Sequence, residues 1–118
     1  MLNLDYICMK HAQQISRNER VLRKALGVLE EDGIYAMFLW LEKNKKNNAP
    51  EEKIRRELTD LLNDGGLREL LGVDKFRKDF DEFTEDLLKV ASDLERLLLL
   101  KRILQRTLTY ALYHAGID

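Results

Sequence analysis

Arg102, Arg106, Thr109, Tyr110 and Tyr113 fall within about 100° of one another on a helical wheel, opposite Leu97, Leu104, Leu108 and Ala111. A guanidinium stripe followed by tyrosines suits a phosphate backbone with bases to stack on. From Arg96 to Ile117 there are four bases and no acid, whereas residues 51–91 hold twelve acids and eight bases. A second basic cluster, Lys43, Lys45 and Lys46 with Lys53, Arg55 and Arg56, flanks a polar connector and offers point charges for phosphates. The plainer readings are a solvated helix face with two tyrosines wedged against a neighbour, and a solubilising loop. A basic groove needs both walls.

The other chemistry-bearing residues form no constellation. His11 and His114 stand 103 positions apart, and neither has a carboxylate three or four residues away on its own helix to make a ligand pair. Both are read as packing or surface histidines, with no metal and no cofactor expected. Cys8 lies on an apolar helix face, where an inert buried thiol is the usual state. Gly65-Gly66 lacks the Lys-Ser or Lys-Thr of a phosphate loop. Small helical toxin ribonucleases carry an Arg a few residues before a His. Here seven residues separate Arg106 from His114, and eleven separate Arg102 from it. No catalytic residues are assigned, and the chain is expected not to be an enzyme.

The elements that position these residues are helical. Phe76, Phe80, Phe83, Leu87, Val90, Leu94, Leu97, Lys101, Leu104, Leu108, Ala111 and Ala115 keep 4-3 spacing, broken only by Lys101. One helix of that length would run about 60 Å, about twice the width of a domain this size. A break or kink is expected near Asp81–Thr84, with Thr84 and Ser92 as candidate caps and Asp74 capping the start. Upstream, a first helix is expected over Leu4–Ser16. Ser16 and Glu19 read as a capping box for a second helix, which Gly33 ends. Ile34–Lys45 is apolar all round as far as Leu41, so it is either central or partly an interface, with Tyr35, Phe38 and Trp40 as interface candidates beside Tyr110 and Tyr113. Residues 44–50 form a mobile connector, and Pro50 opens a fourth helix over Glu51–Asn63. A short turn, Leu67–Leu71, follows Gly65-Gly66.

The totals agree. A chain of 118 residues with 45% apolar and 35% charged residues, one Pro and six Gly suits a single-domain all-α bundle, here of five or six helices with a long C-terminal one. A net charge of −1 leaves any nucleic-acid contact to local patches. One cysteine fits a reducing compartment, and Met1-Leu2-Asn3-Leu4-Asp5 has no basic start before an apolar run. A cytoplasmic location is expected. The longest apolar run, Ile34–Leu41, is eight residues and too short to span a membrane.

Leu26–Lys43, where a helix ends at Gly33 and an apolar helix follows, resembles the corresponding part of the small helical subunit of type III CRISPR effector complexes. Leu104–Asp118, with its alanines and tyrosines, resembles the last helix of the same group. Together the two segments cover about a quarter of the chain, and nothing aligns over Asn47–Asp81. The resemblance implies a non-catalytic bundle that stacks on copies of itself, contacts other effector subunits and helps hold guide and target RNA. By position and charge, Arg102 and Arg106 would contact RNA, with Lys43, Lys45, Lys46, Arg55 and Arg56 as the second wall. The competing reading is a stand-alone helical adaptor that dimerises through the long seam. A small nuclease or toxin using Arg106 and His114 is a distant third.

Overall fold

A computed structural model describes residues 2–117, and among them the only regular elements are seven α-helices. They are α1 (Leu4–Ala12), α2 (Glu19–Asp32), α3 (Ile34–Lys43), α4 (Pro50–Leu62), α5 (Gly65–Leu71), α6 (Phe80–Ala91) and α7 (Leu94–Ala115). The all-α class and the long C-terminal helix are as expected. The count is higher, because 65–71 is a helix and not a turn, and because the long seam is two helices.

Local chemistry sets the boundaries. Asn18, and not Ser16, caps α2: its side-chain oxygen accepts from Val21 N at 3.0 Å. α1 accordingly stops at Ala12, three residues after Met9, and Gln13–Asn18 lead into α2. Gly33 ends α2 at φ 99°, a region that other residues enter only under strain. Pro50 occupies the first turn of α4, where its missing N–H is not needed.

The break in the seam lies at Ser92-Asp93, not at Asp81–Thr84. Asp79 caps α6, accepting from Glu82 N at 3.1 Å, and Asp93 caps α7, accepting from Arg96 N at 3.2 Å. Asp74 caps nothing; it sits in the 72–79 connector, which Asn63 holds by a double hydrogen bond to Phe76 N (2.7 Å) and Phe76 O (2.8 Å).

The break takes Leu94 out of the seam but leaves the seam's later positions Leu104, Leu108 and Ala111 buried. Phe76, Phe83, Leu87 and Val90 are inside, but beyond Asp93 the buried set becomes Leu100, Ile103, Leu104, Leu108 and Ala111. Leu94 is 69% exposed. α7 is the central helix, packing on α1, α2, α5 and α6. α3, packed on α2, α4 and α6, buries Ile34, Met37, Phe38 and Leu41 and leaves Tyr35 and Leu39 exposed. One contiguous core results, in a body of 37 × 32 × 25 Å.

Candidate functional site

The C-terminal stripe forms as expected, with one addition from elsewhere. Arg102 and Arg106 are exposed on α7 and line a shallow depression with Gln105, Thr109 and Tyr110. Asp5 of α1 enters this surface: Arg106 Nη1 lies 3.6 Å from Asp5 Oδ1, and the Tyr110 hydroxyl donates to the same oxygen at 2.5 Å. That hydrogen bond holds the Tyr110 hydroxyl above the ordinary tyrosine range. Arg106 is therefore partly neutralised, while Arg102 has no ion-pair partner among the described residues. Tyr113 stands clear at 70% exposure.

The second basic cluster is only partly a surface. Lys43, Lys45, Lys46 and Arg56 are exposed, but Lys45 pairs with Glu42, and Arg56 lies 3.8 Å from Glu52. Arg55 is a correction to the expected RNA contact: it is 7% exposed, donating to Thr59 Oγ1 at 2.7 Å and to Lys78 O at 3.3 Å. Helical phase explains this, since Arg55 falls beside Ile54, Leu58 and Leu62 on the buried face of α4. Burial pulls its pKa below the ordinary arginine range, with the Glu42 charge acting against the shift. A cleft of about 200 Å³ gathers Lys45, Arg55, Arg56 and Lys78 with Glu42, Glu52 and Asp60, so acids interleave the bases. Arg102 and Arg106 line a different depression, and the two clusters do not share one groove.

The aromatic interface candidates divide. Phe38 is a correction, fully buried edge-on to Phe83 with ring centroids 4.8 Å apart. Tyr35 is 55% exposed and lines an apolar groove of about 310 Å³ with Leu87, Leu88, Ala91 and Leu97. Leu88 (70%), Leu94 (69%) and Leu98 (56%) are the most exposed leucines of α6 and α7. Sequence periodicity missed this patch because it assigned Leu94 to the core; the signal available was Asp93, an N-cap type placed to restart the helix. A second apolar depression, at the other end of α7, involves Met9, Tyr110, Tyr113 and Ile117. Trp40 is half-buried and faces a third groove, between α2 and α3.

His11 and His114 face different surroundings. His114 lines the C-terminal depression, whereas His11 Nδ1 lies 3.1 Å from Glu57 and its Nε2 3.8 Å from Asp64. Both acids come from the α4 region, so inspecting the histidine's own helix could not reveal them. Cys8 is buried, its Sγ 3.8 Å from Ile103 O, and burial pushes the thiol up. Among the described residues, no three or more His, Cys, Asp and Glu side chains are grouped to hold a metal ion, and no helix is long and apolar enough to cross a membrane. Compared with family models, curated proteins and solved structures, the chain matches none.

Proposed function

We propose that this chain is a non-catalytic small subunit of a type III CRISPR ribonucleoprotein effector, stacking along the complex and helping to hold guide and target RNA. The observation that carries the reading is the arrangement of the outer face of α7. Leu94 and Leu98 stand at its N-terminal end, Arg102 and Arg106 in the middle, and Tyr113 at its C-terminal end, with exposed Ile117 two residues beyond the helix. Twenty-two helical residues separate the two apolar ends by about 30 Å. Two different apolar patches on one body favour a head-to-tail contact, which repeats, over a two-fold contact, which closes. Repetition would bring successive Arg102 and Arg106 pairs into one row, a spacing suited to an extended phosphate backbone. Lys43 and Lys46 would contribute as exposed point charges, and Lys45 and Arg56 less so, being partly neutralised by Glu42 and Glu52.

Sedimentation of patch variants tests the assembly. Leu94→Glu/Leu98→Glu and Tyr113→Glu/Ile117→Glu should each stop growth alone, yet pair one-to-one when mixed, through the intact patch of each. If the second variant dimerises by itself, the contact is two-fold, and the helical adaptor becomes the account. Pull-down of the tagged chain from its host, with RNA sequencing and mass spectrometry, tests the complex. Short repeat-derived RNAs with large nucleoprotein subunits are expected; protein partners without RNA would overturn the assignment.

A further inference from the structure

Gly27 stands in the middle of α2, where glycine is among the poorest helix formers. A Cβ added there would meet no heavy atom within 4 Å. The chain's own packing therefore does not require glycine at this position. The others have local reasons: Gly33 and Gly72 take positive φ, a Cβ on Gly66 would strike Leu2, and Gly65 and Gly116 lie at helix ends. A mid-helix glycine beneath open space leaves room for another molecule to approach the backbone closely.

That space is an open groove of about 850 Å³ along α2, with Trp40 of α3 at its other side. Arg20, Lys24, Gly27 and Glu31 follow one another along its α2 wall at steps of four, three and four, a single line on a helix surface. Arg20 and Lys24 are exposed and have no ion-pair partner among the described residues, whereas Arg23 is held by Glu19. Trp40, the chain's single tryptophan, forms part of the α3 side. Glu31 and Asp32 close the far end. The groove is thus positive where α2 begins and negative where it ends, and the helix dipole has the same sense.

We propose that this groove seats an unpaired nucleotide of an RNA strand. The phosphate lies against Arg20 and Lys24, the sugar passes over Gly27, and the base stacks on Trp40. Glu31 and Asp32 fix the direction: they repel phosphate and accept hydrogen bonds from exocyclic amino groups. A purely apolar partner would leave both charged ends unmatched, and a uniformly anionic one would meet Glu31 and Asp32. The seat rests on the RNA reading above for its ligand class, but uses none of the cations assigned there.

Trp40 reports on the groove directly. Titrating the intact chain with a short single-stranded oligoadenylate should quench its fluorescence saturably, with binding measured in parallel by anisotropy of the labelled strand. Arg20→Ala/Lys24→Ala, both exposed positions, should weaken the Trp40-reported binding roughly tenfold. Gly27→Ala should move two readouts in opposite directions: the melting temperature rises by a few degrees, while binding weakens several-fold. A merely structural glycine would give the first change without the second, and that result overturns the seat. Anisotropy binding that leaves Trp40 unquenched, and survives Arg20→Ala/Lys24→Ala, also overturns it while leaving Arg102 and Arg106 as the RNA contacts. Absence of binding by either readout removes the seat and the direct RNA-contact part of the ribonucleoprotein reading together.

Discussion

The guanidinium carbon of Arg55 stands 4.2 Å from the centroid of the Phe83 ring and 5.8 Å from that of Phe80. A cation within cation–π reach of two rings and bonded to Thr59 is a structural part of the α4–α6 contact, however basic its neighbourhood looks in sequence. Arg55→Ala should destabilise the chain by about 2–3 kcal/mol, through lost packing, cation–π contact and hydrogen bonds. Arg55→Lys should recover only part of this, since an ammonium cannot stack flat on Phe83. Urea unfolding measures both. Under the proposed RNA role, binding at temperatures where the variant is folded should be unchanged.

Asp86 anchors the start of α6 from within. Its side chain is 1% exposed and accepts from Arg77 N at 2.9 Å and from Arg77 Nη2 at 3.0 Å. The Arg77 guanidinium is held above its ordinary range, chiefly by this bond. Asp86→Ala should cost about 2–3 kcal/mol, because the Arg77 amide loses its acceptor. Glu82→Gln, on the exposed side of the same network, should cost less than Asp86→Ala. Paired denaturation curves decide between them.

Alkaline pH should weaken the fold. Burial raises the Cys8 thiol, so the folded chain keeps its proton at pH values where the unfolded chain has lost it. The unfolded state then binds fewer protons, and stability falls as pH rises past about 8.5, the ordinary thiol range. Tyr110, raised by its bond to Asp5, acts in the same direction past about 10. Cys8→Ala should flatten the first part of that decline in melting temperature against pH. Native Cys8 should resist thiol reagents at neutral pH and react fully in denaturant.

Asp5 restrains the α7 stripe electrostatically. Under the proposed RNA role, Asp5→Asn should release Arg106, strengthen RNA binding several-fold at low salt, and steepen the logarithmic salt dependence by about 0.7 for one added phosphate contact to a single strand. The half-exposed Asp5–Arg106 pair contributes little to folding, so melting should change only slightly. An unchanged salt slope would remove Arg106 from the RNA surface.

Much of the fold was legible because it is local. Gly33, Pro50 and the apolar face of α2 act within one or two turns, and α2, α3 and α4 came within two residues of their observed ends. The long seam was harder. A 4-3 pattern continues through Ser92-Asp93 on paper, but a new helix capped by Asp93 starts there, so Leu94 in its first turn is exposed while Leu104, Leu108 and Ala111 keep the seam inside. Ser16 and Asn18 have similar capping chemistry, and the backbone geometry puts Asn18, not the expected Ser16, at the N-cap of α2. The outward position of Arg102 and Arg106 follows from phase on a single uninterrupted helix, whereas phase on α4 turns Arg55 inward despite its charge.

Sequence by itself determined the all-helical class, the helices of the first half and the cationic stripe of α7, since each follows from propensity, capping and spacing within a few turns. Tertiary structure alone decided which charges remain available. Asp5 reaches Arg106 across 101 positions of chain, Glu57 reaches His11 across 46, and Phe83 covers Arg55 across 28. It also decided which leucines stay outside. Such pairings depend on how helices cross, and crossing is set by the packing of the whole core.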